Sequence, residues 1–154
     1  MSELLPLDRR RAAHALGRIE CFRKGASPEL REAYRSYVQG VAALIVTTGL
    51  GQTLALLLSQ GGKAPEAGRG GKAPAAWTLI FEHLADWLVD KDPAQLFGEA
   101  AKTADRAGRL GLLLQLSQPD WLVAQAEALS YLDWLKKFAN ALLAEPGKHD
   151  EGRS

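Results

Sequence analysis

A long stretch without charged side chains constrains the fold of this chain more than any other feature. From Ser36 to Gly62 the only ionisable side chain is that of Tyr37. An apolar run of about 20 residues is long enough to cross a bilayer. Small and polar residues interrupt this run: Gln39, Gly40, Thr47, Thr48, Gly49, Gly51, Gln52 and Thr53. Because no aromatic belt flanks it either, the composition favours two short helices of a folded domain over a membrane span.

The apolar residues in and before this stretch recur at the spacing of an α-helix, which places them on one face. That face comprises Leu30, Tyr34, Val38, Val41, Ile45 and Thr48. Gly49 can end the helix, because glycine adopts a positive φ at little steric cost. The next helix would begin at Leu50, and Gly51 would allow a neighbouring helix to approach closely. Its buried face is predicted to hold Leu54, Leu57 and Leu58.

Two segments carry more specific patterns. The first, from Tyr37 to Ala55, ends in Thr-Gly-Leu-Gly-Gln-Thr-Leu-Ala, and the second runs from Glu127 to Ala139. In content, order and separation they resemble the small helical subunit of type III-B CRISPR effector complexes (the Cmr module), over about residues 9 to 143. The residues that carry the resemblance include Tyr37, Gly49, Leu50, Gly51, Thr53, Leu54, Trp134 and Leu135. The chain departs from the family, which often has proline at 43, asparagine at 48 and basic residues at 39 and 40.

The resemblance implies an all-α, compact single-domain helical bundle that stacks copy on copy beside a backbone nuclease subunit and a large subunit. In that family the small subunits lie along the guide RNA–target RNA duplex, and the backbone subunit cleaves the target. The resemblance therefore implies a non-catalytic, RNA-binding subunit for antiviral RNA-guided RNA silencing, without a cofactor or metal.

Local charge, rather than net charge, suggests where RNA would bind. The formal net charge is only +1, so the chain as a whole does not predict a polyanionic partner. A first helix from Asp8 to Lys24 carries six basic and two acidic side chains, and guanidinium groups bind phosphate oxygens well. The candidate RNA-binding residues are Arg9, Arg10, Arg18, Arg35, Lys136 and Lys137. The alternative is that these cations form only a solvent-exposed face and bind no ligand.

The sequence offers few groups for catalysis. His83, with Glu82 and Asp86, is the candidate His–carboxylate cluster, and a hydrogen-bonded surface histidine explains it better than a metal site. Asp86 and Asp90, one turn apart on an open helix, are expected to keep ordinary pKa values. Cys21 is expected to be a partly buried structural thiol, and His14 and His149 belong to no motif. We therefore predict that the protein is not an enzyme.

The remaining segments complete a single domain over residues 1–145. We predict a flexible Gly/Pro-rich loop at 61–74, helices at 75–89, 93–117 and 119–145, and a disordered tail at 146–154. The start of the chain lacks the pattern of a signal peptide, and its single cysteine suits a reducing compartment. These features predict a cytoplasmic protein with no membrane association.

A protein–protein adaptor without RNA contact is the alternative function. Its binding surface would then be apolar and would lie around Trp77, Trp87 or Trp121.

Overall fold

The computed structural model describes residues 6–62, 73–98 and 104–144, and within these ranges the chain is an all-α bundle without strands. Its helices are α1 (Leu7–Gly25), α2 (Pro28–Thr48), α3 (Leu50–Gly61), α4 (Ala75–Ala85), α5 (Arg106–Leu114) and α6 (Gln118–Leu142). Helix α4 continues directly into a π-helical segment, Asp86–Lys91. No helix in the described ranges is long and apolar enough to cross a membrane. The predicted fold class is confirmed.

The starts of α2 and α6 follow the sequence closely. Ser27 accepts a hydrogen bond from the Leu30 amide, and Ser117 accepts one from the Asp120 amide. A proline follows in the first turn of each helix, where its missing N–H costs nothing. Both starts were predictable because these signals lie within four residues of each other.

Gly49 separates α2 from α3, as predicted. Its φ of 94° and ψ of 158° lie in a region that is essentially restricted to glycine. The first amide of α3, that of Leu50, donates to the Gln125 side chain of α6 at 3.0 Å. The break between the helices is therefore supported from across the bundle.

The core lies where α2, α4 and α6 meet and is closed on one side by α1. Tyr34 and Tyr131 are the largest side chains that are fully buried. Of the predicted faces, Tyr34, Val38, Val41, Ile45, Leu54 and Leu57 are buried, Leu30 and Leu58 are partly buried, and Thr48 is exposed. Gln39 in the middle of α2 contacts Asn140 near the end of α6, and Leu50, just after the end of α2, contacts Gln125 near the start of α6. Helices α2 and α6 therefore run in opposite directions.

The prediction of one helix over 93–117 is wrong. Asp92 adopts a left-handed conformation, with φ of 50°, and its carboxylate accepts the amides of Leu96, Phe97 and Gly98. These bonds replace helical ones, so residues 93–98 form a loop whose apolar side chains still reach the core. The helix begins only at Arg106, where Asp105 caps it.

The end of the fourth predicted helix also differs from an α-helix. Three consecutive residues, Trp87, Leu88 and Val89, are all buried there, in the segment that is π-helical.

Several predictions fall outside the described residues. Of the predicted loop 61–74, Gly61 completes α3 and residues 63–72 are outside. Residues 99–103 and the predicted tail 146–154 are outside as well.

Candidate nucleic-acid interface

Two contacts between helices, one joining α1 to α6 and one joining α2 to α6, lie near four of the predicted cations in the chain, and we call these four cations the belt. Asp8, the neighbour of Arg9, accepts a hydrogen bond from Trp134 Nε1 at 3.0 Å. Lys137 Nζ lies 5.8 Å from the centre of the same indole ring. Gln39 Nε2 donates to Asn140 at 2.8 Å, which joins the turn after Arg35 to the turn after Lys136. The belt therefore comprises Arg9, Lys137, Lys136 and Arg35.

The belt cations differ in how strongly the chain already engages them. Arg9 is exposed, and neither Arg9 nor Lys136 forms an ion pair with any residue in the described ranges. Lys137 pairs with Asp133 at 2.7 Å, and Arg35 pairs with Glu32 at 3.3 Å. The Lys137 pair is exposed, and pairs of this kind contribute only about 0–1 kcal/mol. The Arg35 pair is partly buried, so Arg35 is less available to an anion than the other three cations.

Arg18 lies away from the belt. It follows Arg9 by two and a half helical turns and so lies on the other side of α1. Its Nε is 3.7 Å from Asp86. Arg10 is half-buried, and its charge contributes to lowering the pKa of Glu127. The structure therefore does not unite the basic residues of α1 into one patch.

A buried polar network joins α1 to α6 beneath this surface. Arg11 donates to both carboxylate oxygens of Glu127, at 2.6 and 2.8 Å, and Trp87 Nε1 donates to the same carboxylate at 2.8 Å. Burial alone would raise the pKa of Glu127, but these bonds bring that pKa below its ordinary value. The network fixes the position of α1 and hence of the cations that it carries.

His14 is the polar residue that the sequence interpretation missed. Its Nε2 lies 2.6 Å from Asp86, to which it donates, and its Nδ1 lies 2.6 Å from the Tyr131 hydroxyl. His14 therefore connects α1 to the π-helical segment and to α6. Arg11, His14 and Arg18 recur at helical spacing beside the apolar stripe, and this polar stripe was a signal that could have indicated the network.

The expectation of a hydrogen-bonded surface histidine at 83 is right about the hydrogen bond and wrong about the surface. His83 is buried rather than at the surface, and its Nδ1 lies 2.7 Å from the Tyr34 hydroxyl. Burial lowers the pKa of His83 to about 3, so the ring is neutral. Asp86 bonds His14 instead. No group of three metal-ligating side chains lies together in the described ranges.

The expectation of ordinary pKa values for Asp86 and Asp90 is wrong. The hydrogen bond from His14 lowers the pKa of Asp86 to about 2. Burial, and then the hydrogen bond to Asp86, raise the pKa of Asp90, although Arg109 opposes this. The two carboxyl groups are neighbours in a partly buried cluster, not on an open helix. Cys21 was also wrongly expected to be partly buried, since it is exposed.

The opposite end of the bundle is apolar and nearly uncharged. Its exposed apolar side chains are Val46, Leu114, Leu122 and Val123. A groove of about 490 Å³ runs between α3, α5 and α6, and it is lined by Thr48, Gly49, Gly51, Gln52, Ala55, Leu114 and Trp121. We call this surface the apolar end. Of the three tryptophans considered for an adaptor surface, Trp121 lies here, Trp77 stacks on Tyr37, and Trp87 is buried.

Comparison with known families identifies the chain. The family described as CRISPR-associated protein (Cas_Cmr5) matches residues 7–142, from the start of α1 to the end of α6. The chain belongs to the Cas_Cmr5 family. It is therefore a CRISPR-associated Cmr subunit, and membership implies association with other subunits of a Cmr complex.

The residues that carry the Cas_Cmr5 resemblance have structural roles in the described chain. Leu50, Thr53, Leu54 and Leu135 are buried. Tyr37 stacks on Trp77 with ring centres 4.0 Å apart. A Cβ atom on Gly51 would lie 3.2 Å from the Trp121 ring, so glycine permits the predicted close contact between α3 and α6. These residues hold the helices together.

Proposed function

We propose that this Cas_Cmr5 chain is a non-catalytic small subunit of a type III-B Cmr ribonucleoprotein complex in the cytoplasm. It lies along the guide RNA–target RNA duplex and helps to position the target for antiviral RNA silencing. Its contacts are to phosphates, which carry no sequence information, because base pairing with the guide selects the target. The proposed contacts are Arg9, Arg10, Arg18, Arg35, Lys136 and Lys137.

The belt across α1, α6 and α2 is the observation that supports this proposal. Arg9 and Lys136 are its strongest members, because neither has an acidic partner in the described chain. Lys137 can exchange a weak, exposed ion pair for phosphate, whereas Arg35 would have to give up a partly buried one. Arg18 would have to leave Asp86 to bind RNA, so its contribution is expected to be smaller.

The apolar end supports a second part of the same function. The residues that line the groove include no cation that could bind RNA. An apolar protein surface could instead bury Val46, Leu114 and Leu122 there. We infer that this end contacts copies of the chain or the backbone and large subunits. RNA and protein partners would thus use different surfaces.

The environments of the buried histidines support a non-catalytic role. His14 and His83 each contact a buried tyrosine hydroxyl, and neither ring is exposed to a substrate. We expect His83→Ala to alter stability and to leave target cleavage by an assembled complex intact.

Purification of the tagged protein from its own cells tests the proposed assembly, with the retained small RNA sequenced. Recovery of other Cmr subunits together with repeat-derived guide RNA is the expected result. Recovery of protein partners without RNA would favour the adaptor that binds only protein.

A salt titration of binding to a guide–target duplex then tests the belt. The double variant Arg9→Gln/Lys136→Gln should bind more weakly, and the slope of log K against log salt should fall by about 0.7–0.9 for each lost phosphate contact. The control Lys24→Gln/Lys91→Gln removes the same charge from cations outside the belt and should bind like the wild type. Equal losses in the two double variants would contradict the belt assignment.

A further inference from the structure

Helix α5 is attached to the bundle by ion pairs and by a small apolar contact, in which Leu110 and Leu112 are partly buried against the core. Arg109 donates to both oxygens of Asp90, at 3.1 and 2.8 Å, and also to Glu82 at 3.3 Å. Arg106 bonds the same Glu82 carboxylate. Leu113 is the only fully buried side chain of this helix. Its apolar anchorage is therefore small compared with that of α2 or α6.

The intrinsic stability of α5 is also low. It has nine residues, and isolated helices shorter than about 12–15 residues are marginal in water. Gly108 and Gly111 lower its helix propensity further. The helix thus depends on its contacts with the α4 region.

The last turn of α5 forms one wall of the groove at the apolar end. Leu114 Cδ2 lies 3.3 Å from the position that a Cβ of Gly51 would occupy, next to the Trp121 ring. Leu114 and Trp121 both line the groove. Displacement of α5 would therefore remove the Leu114 wall and expose more of Trp121 and α3.

We propose that α5 is a lid on this groove, latched to Glu82 and Asp90 by Arg106 and Arg109, and that it opens while the rest of the bundle stays folded. Asp86 and Arg109 lie beside Asp90. His14 and Arg18 lie beside Asp86. Glu82 is faced by Arg106 and Arg109. Because the latch is partly exposed, salt screens it, whereas the apolar contacts of α2 and α6 are not weakened by salt.

Amide hydrogen exchange of the full chain, read by mass spectrometry at constant pH, tests the lid. In the wild type, peptides from α5 should exchange faster than those from α6, and raising NaCl from ~0.05 M to ~1 M should speed only α5. Arg109→Gln should speed exchange in α5 by about tenfold and leave α6 unchanged. Gly111→Ala, at a site with no atom within 4 Å of the added Cβ, should slow exchange in α5 by about fivefold.

Arg23→Gln is the matched control, because Arg23 forms an exposed ion pair with Glu20 that does not touch α5. It should leave exchange in α5 unchanged. The lid would be refuted if α5 and α6 exchanged at the same rate in the wild type. It would also be refuted if Arg109→Gln accelerated both helices equally, since α5 would then open only with the whole bundle. This test involves no RNA and is independent of the proposed function.

Discussion

Two histidines show how position in the fold determines the chemistry of a single residue. His14 lies between Asp86 and the Tyr131 hydroxyl, so its ring has a carboxylate partner. His83 lies in the core, where its partner is the neutral hydroxyl of Tyr34. Burial therefore opposes protonation of His83, and its pKa is lowered to about 3. Protonation of His83 must be coupled to unfolding.

The stability of the protein should decrease as the pH is lowered, because His83 is neutral in the folded state. The folded-state pKa lies below the unfolded value of about 6.5, so this contribution is fully present above that value and is lost as pH falls toward 3. Between about pH 7.5 and 5.5 the loss for this one group is about 1.4 kcal/mol. Urea unfolding of the wild type and of His83→Gln at both pH values measures it. The variant should lack this part of the slope, and parallel slopes would contradict the assignment.

The helices begin and end where single residues determine the backbone. Ser27 and Ser117 cap α2 and α6, Asp92 prevents a helix over 93–98, and Gly49 separates α2 from α3. Of these, Gly49 has the most demanding conformation, because its φ of 94° and ψ of 158° are unfavourable for any residue with a Cβ.

Gly49→Ala should destabilise the fold by about 1–3 kcal/mol, because alanine is strained at this φ and ψ. Gly40→Ala provides the control of opposite sign. Gly40 lies within α2, and an added Cβ would meet no atom within 4 Å, so this change should stabilise by about 0.5–1 kcal/mol. Denaturant midpoints of the two variants measure both effects. A stabilising Gly49→Ala would mean that the helices do not break there.

In the part of the chain that the structure describes, the belt cations lie away from the apolar end. The belt occupies neighbouring turns of α1, α6 and α2, where Asp8 meets Trp134 and Gln39 meets Asn140. The apolar end lies where α3 starts, α5 ends and α6 starts. This separation would let one small subunit contact a phosphate backbone and a protein neighbour at the same time.

Charges at the apolar end should prevent assembly without unfolding the chain. Val46 is 70% exposed and Leu122 is 53% exposed, so Val46→Glu/Leu122→Glu should change stability by less than about 0.5 kcal/mol per site. Co-expressed with the other Cmr subunits, this variant should fail to co-purify with them. Leu16→Glu is the control, because Leu16 is exposed at 39% on α1, away from this end, and it should assemble normally. Loss of assembly only in the control would contradict the assignment.

Much of the architecture was predictable, because its signals are local. Helical spacing indicated the buried faces of α2 and α3, and Gly49 indicated where α2 ends. The segment with Gly49 and Gly51 also supported the family relationship. The helix predicted over 93–117 was wrong, because its apolar spacing does not reveal that the Asp92 carboxylate takes the backbone amides of the next turns.

The sequence by itself determined the all-α class, most helix boundaries, the family and the list of candidate cations. Each depends on residues within a few turns of one another, where helical geometry fixes the spacing. Only the tertiary structure decided which cations are neighbours, because Asp8, next to Arg9, bonds Trp134, and Lys137 lies over the same Trp134 ring. It also decided that His14 bonds Asp86, 72 positions away, and that His83 is buried. Such pairs depend on how helices cross, and no local pattern specifies that.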